Sequence, residues 1–147
     1  MLIGGLALVA AALFAGAALY VSLAEHPARM TQSDDAALAQ WKPSYARGKM
    51  MQASLALIGG LLAIWAWRLE GCGFWLAGGL LLLANWPVTL LAIKPVNDLL
   101  NAIAPGKADQ GTRALLVTWG RRHAIRTALG LGATAAMLVA LQFPHPD

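Results

Sequence analysis

With 147 residues the chain has room for one domain and no more. Its residues are 59% hydrophobic and only 12% charged, and the mean hydropathy is +0.59, which excludes an ordinary soluble enzyme or binding module. The formal charge of +4 comes without any nucleic-acid motif, so the sequence predicts an all-α integral membrane four-helix bundle that binds no nucleic acid.

A hydrocarbon core about 30 Å thick needs roughly 20 apolar residues at ~1.5 Å each. The first such run, residues 2–24, has neither charge nor proline. It lacks a basic n-region and is too long for a signal-peptide core, so a retained span is expected. At its end Ser22, Glu25, His26 and Arg29 follow i, i+3, i+4, i+7 spacing, one helical face if the helix persists to Pro27. The following stretch, residues 25–49, holds a helix that Ser33 or Asp34 can cap, with Ala36, Ala37, Leu38 and Trp41 apolar and Pro43 as its expected end. It is a candidate surface segment or lid.

The second span is expected at about 50–68 and the third at about 74–93. Between them the GCG turn carries Cys72, the single cysteine, which can form neither an intrachain disulfide nor a metal site. In the third span Asn85 and Thr89 share a face around Pro87, and Asn97 follows Pro95 just beyond it. Residues 94–114 then include a short apolar patch and a Pro105-Gly106 turn. The fourth span, about 115–142, opens on the cationic stretch WGRRHAIR. Here Trp119, His123 and Arg126 lie at i, i+4, i+7 as one stripe, with Gly130 a turn deeper. Arg121 and Arg122 are explained by headgroup contact.

Four spans put the termini and Arg68 on one side of the bilayer and the other basic residues on the opposite side. The positive-inside rule therefore places residues 25–49 and 94–114 in the cytoplasm and both termini outside, with a bacterial inner membrane as the expected location. Gly59, Gly60, Gly78, Gly79, Gly130 and Gly132 read as close-packing positions between helices. Trp65, Trp67 and Trp75 read as an aromatic belt around the outer turn, with Trp41 at the inner side. Polar groups from all four helices converge near the inner end, which predicts an inner-side pocket, apolar below and polar at the rim. His26 and His123 with one nearby carboxylate do not make a metal motif.

EHPAR, QWKPSYARG, NWPVTLLAIKPVND and above all RALLVTWGRRHAIRT resemble the DUF1772, or anthrone oxygenase-like, family of small four-span membrane proteins, over nearly the whole chain. Lys94 stands where an uncharged residue is expected. Fungal members with a named activity oxidise polyketide anthrones to anthraquinones with O2, without a metal or flavin, whereas most bacterial members have no assigned reaction. The resemblance thus implies an oxidoreductase, a monooxygenase acting on an apolar aromatic small molecule, with molecular oxygen as co-substrate and no cofactor. In that chemistry His123 is the expected base, Arg126 and Asn97 hold the oxyanion, and Trp119 stacks on the ring system. His26, Arg29, Asn85 and Thr89 are the expected further substrate-binding residues. Two other functions remain open on the residues alone: a non-enzymatic carrier, lipid-binding bundle or complex subunit, and a haem protein using paired histidines, which the position of His145 in the tail disfavours.

Overall fold

The computed structural model describes residues 2–143, and among these every regular element is helical. Four helices are long and apolar enough to cross a bilayer: α1 (Leu2–Arg29), α2 (Asp34–Glu70), α3 (Gly73–Ala102) and α4 (Gln110–Ala140). Neighbours in sequence are neighbours in space, and α4 closes the ring against α1. The helices therefore run up, down, up and down, as short connections demand. The N-terminus of α1 and the C-terminus of α4 share one end, hereafter the terminal end; the opposite end is the basic end.

Each boundary has a local cause. Ser33 caps α2 by accepting the Ala36 N–H, and Gly71, at φ +69°, closes it in the left-handed region that glycine tolerates best. Asp109 and Thr112 form a reciprocal capping box at the start of α4. All four helices outrun their expected spans at the basic end. Pro43 does not end a helix: α2 continues through it as one rod of 37 residues. Its ring lies on an exposed face, so the backbone can open towards the surroundings without losing a buried contact.

Two other prolines are accommodated differently. Pro27 and Pro95 each follow a π-helical turn, Val21–Glu25 in α1 and Thr89–Ile93 in α3. Five-residue hydrogen bonds close these turns, from His26 N–H to Val21 O and from Lys94 N–H to Thr89 O. Proline has no N–H and its ring crowds the carbonyl four residues back, and a wider turn relieves that crowding. Side chains of α4 bond carbonyls beside both irregular stretches: Thr127 Oγ1 donates to Ala18 O at 3.1 Å, and Arg122 donates to Ala92 O. Arg122 is thus occupied within the protein, not only by headgroups. A polar backbone inside a membrane needs such internal partners.

Two apolar clusters fill the bundle. At the terminal end Ala7, Ala11, Phe14, Ala63, Leu82 and Met137 pack together. Backbones approach closely there: a Cβ at Gly79 would stand 3.0 Å from the Gly60 carbonyl oxygen, and one at Gly78 3.1 Å from that of Ala133. Trp75 belongs to this core and not to a belt, its indole donating to Glu70 at 2.7 Å. At the basic end Leu38, Trp41, Val96, Leu100, Leu116 and Trp119 form a second cluster. Arg113 ties this end together, donating to the Asp34 carboxylate at 2.5 Å and to the carbonyls of Met30 and Gln32 at 2.9 and 2.6 Å. Lys42 donates to the carbonyls of Asn101 and Ile103 at the end of α3. The expected rim is consequently a roofed interior: residues 34–45 and 94–116 cover the polar groups with a second core.

Candidate functional site

The polar layer between the two cores is organised by α4. Trp119, His123, Arg126, Thr127 and Gly130 are all buried along one stripe of that helix. Trp119 is its centre. Its ring meets the imidazoles of His26 and His123 at centroid distances of 5.3 and 5.0 Å, and packs edge-on against Trp41 at 5.9 Å. The guanidinium of Arg29 lies 5.7 Å from the same ring. Gly120 makes room for His26, whose imidazole occupies the space a Cβ would need.

The polar face expected at the end of α1 divides between two neighbours, because the π turn changes the helical register. Ser22 turns to α4, 3.2 Å from His123 Nδ1 and 2.8 Å from Thr127 Oγ1. Glu25 and Arg29 turn to α2. Glu25 accepts from Arg29 at 2.5 Å, from Gln40 at 3.1 Å and from Ser44, while Arg29 also donates to Gln40. Arg29, only 2% exposed, is thus a buried and paired cation.

The direction of the hydrogens on α4 follows from these contacts. A carbonyl can only accept, so the Thr127 hydroxyl hydrogen is committed to Ala18 O. Ser22 must then donate to Thr127, and His123 Nδ1–H must donate to Ser22. The His123 Nε2 is left with its lone pair free, and no donor meets it among the described residues.

Arg126 differs from Arg29. It is 7% exposed, its Nε has no hydrogen-bond partner among the described residues, and its guanidinium rests 5.5 Å from the centre of the Phe14 ring. No carboxylate among the described residues pairs with it. Arg126 and His123 both line a cavity of about 30 Å³, together with Tyr45, Gln52 and Trp119. That is about the space of one water molecule. Arg126 also borders a cleft of about 410 Å³ between α2 and α3, whose wall includes Ala53, Leu57, Trp86 and Leu90. A third space of about 340 Å³ lies on the other side of α2, against α1, and shares Gly48 and Gln52 with the small cavity.

Asn85 and Thr89 line the α2–α3 cleft. Asn85 Nδ2 donates to the Leu82 carbonyl at 3.0 Å in the stretch loosened by Pro87, and its Oδ1 is buried without a partner. Asn97 lies on helical backbone, inside the bundle. Its Oδ1 accepts from the Trp119 indole and its Nδ2 donates to the Tyr45 hydroxyl, both at 2.9 Å. His26 and Arg29 sit against Trp119 and not among the residues lining the small cavity. Lys94 is exposed and pairs with Asp98 at 2.6 Å. His145 lies outside the described residues.

Tyr45 and Gln52 were not anticipated. With Trp41 and Gly48 they form an i, i+4, i+7, i+11 stripe on α2, which becomes visible once the helix is read through Pro43. Among the described residues no three His, Cys, Asp or Glu side chains come together as a metal site.

These features define a class: a small four-helix membrane protein with an interior polar layer, bordered at Arg126 by an apolar cleft between α2 and α3. The profile of the Anthrone oxygenase family matches residues 41–136, most of α2 to α4, and the chain belongs to that family. Tyr45, Asn97, Trp119, His123 and Arg126 fall within the match, whereas EHPAR precedes it. No curated protein and no solved structure matches the chain.

Proposed function

We propose that the chain is a membrane-embedded oxygenase that takes a flat, apolar aromatic ketone of the anthrone type from the bilayer and oxidises its ring methylene with O2. The observation that carries this reading is the polarity of the Ala18–Thr127–Ser22–His123 chain, which leaves Nε2 without a partner in a histidine that lines the same cavity as a buried arginine with no carboxylate partner. The cleft of about 410 Å³ falls within the roughly 300–1,000 Å³ of small-molecule sites.

In the proposed reaction the substrate edge passes from the cleft into the small cavity at Lys49 and Arg126, the residues that line both, which must widen to admit it. There His123 removes a methylene proton, and the electron pair delocalises onto the ketone oxygen beside Arg126. The carbanion reduces O2, forming a C–O bond, and the resulting hydroperoxide anion takes the proton back from the imidazolium. Loss of the second methylene proton with cleavage of the O–O bond expels water and leaves the second carbonyl. One O2 thus yields one quinone oxygen and one water. The substrate anion supplies the electrons, so the scheme calls on no metal or flavin. Asn85 and Thr89 line the cleft where the ring system would lie.

The test is turnover of anthrone by purified protein in lipid nanodiscs, followed by O2 uptake and quinone absorbance. His123→Gln should retain the fold and lose about 10²–10⁴-fold in rate. A His123→Gln protein turning over at the wild-type rate would remove His123 from the mechanism. A second reading, a non-enzymatic carrier, draws on Lys49 and Arg126 beside an apolar cleft, which also suits a phospholipid. It predicts co-purified lipid, lost on replacing Arg126, and no O2 uptake.

We further infer that the basic end faces the cytoplasm, in a bacterial inner membrane. Cys72, partly exposed in the turn between α2 and α3, should then react with an impermeant maleimide added outside intact cells. Labelling only after lysis reverses the orientation.

A further inference from the structure

The hydrogens around Asn97 can be assigned as they were around His123. An indole N–H only donates, so the Asn97 atom 2.9 Å from Trp119 Nε1 is the amide oxygen. The amide nitrogen is then the atom facing Tyr45, and it donates to the phenolic oxygen at 2.9 Å. Tyr45 is the acceptor in that bond. Its own hydrogen has no acceptor among the described residues, yet the side chain lines the cavity shared by His123 and Arg126.

The ring of Tyr45 is also held in place. It stacks on Trp41 at 4.8 Å with an interplanar angle of 3°, and Trp41 packs edge-on against Trp119. Trp119, Asn97, Tyr45 and Trp41 thus form a closed circuit across α4, α3 and α2. A phenol fixed in orientation, with its acceptor side occupied and its donor side free, is preorganised to meet an oxygen.

We propose that the Tyr45 hydroxyl is the second donor to the substrate oxygen that becomes negative when the methylene proton leaves, with Asn97 and Trp119 as positioning residues that aim it. This rests on the oxygenase reading above. Arg126 and Tyr45 then bring charge and direction to one oxygen from two different helices.

The experiment uses nanodisc-embedded protein and 9,10-anthraquinone, read by the infrared carbonyl band of the bound quinone, which needs no turnover. Wild type should shift the band below its position in the same lipid. Tyr45→Phe should return it about halfway, and kcat with anthrone should fall by about 10²-fold with KM little changed. Asn97→Asp at alkaline pH offers Tyr45 only an acceptor, turning its hydrogen away from the cavity. It should reproduce the Tyr45→Phe band although the tyrosine is still present. A band unchanged in both variants, with wild type shifted, overturns the role of Tyr45 alone. A wild-type protein that neither shifts the band nor consumes O2 overturns the oxygenase reading and this proposal with it.

Discussion

Arg126→Met should make the protein more stable and less active at once. The buried Nε of Arg126 has no partner, and such a group costs roughly 1–3 kcal/mol. Against this stands the contact with Phe14 at 5.5 Å, about 1–2 kcal/mol for a desolvated cation over a ring. Methionine keeps much of the stem's packing and removes the polar head, so the net gain should be about 0.5 kcal/mol, or roughly 1–2 °C in the unfolding midpoint of a domain this size. The assay is thermal unfolding in nanodiscs, followed by tryptophan fluorescence, beside O2 uptake with anthrone. Activity should fall by about 10²-fold or more, because in the proposed reaction the cation faces the charge that develops. A variant destabilised by more than about 1 kcal/mol would refute the reasoning, since it would mean that Arg126 is held by native contacts worth more than its burial costs. Arg29, paired with Glu25, supplies the contrast: Arg29→Met should destabilise, by leaving that carboxylate without its cation.

Ser22→Ala should free the His123 ring to change tautomer and lower kcat by about 10-fold, a part of the ~10²–10⁴ a positioned base contributes; an unchanged rate would separate the Ser22 contact from the chemistry. Gly120→Ala sets a methyl group against the His26 imidazole and should cost about 1–3 kcal/mol by thermal unfolding, whereas Gly16→Ala, where a Cβ meets nothing, should cost far less. The Thr112 backbone N–H and hydroxyl hold the Asp109 carboxyl below the ordinary carboxylate range. Its folded pKa being the lower one, the stabilisation is complete above the ordinary range and disappears as pH falls through the lowered value. Asp109→Asn should abolish this component of acid sensitivity in pH-dependent unfolding.

The spans and the Trp119, His123, Arg126 stripe were legible because long apolar runs and 3.6-residue spacing carry through to the structure. Asn85 and Thr89 were legible as polar residues at membrane depth and Asn97 as one just beyond it, though not their partners. Tyr45 and Gln52 were hidden by Pro43, which is a strong stop signal in water but only a local defect where its ring can face outward. The double core was hidden for a related reason. The segments that roof the site are too polar to count as spans, and Leu38, Val96 and Leu100 reveal a common face with Leu116 only once α2 and α3 are extended. The π turns left no periodic signature, since five residues are too few to set a phase.

A π turn is, in effect, one residue inserted into an α-helix, and each residue advances the helix by about 100°. Val21–Glu25 therefore acts as a phase shifter in α1: it lets Phe14 and Ala18 face the terminal core while Glu25 and Arg29, a few residues on, address α2. Deleting one residue from this stretch should remove the extra residue while pressing the Pro27 ring back against the carbonyl four residues before it. The cost would appear beyond the deletion, where EHPAR would be turned by about 100° and His26 and Arg29 carried away from Trp119.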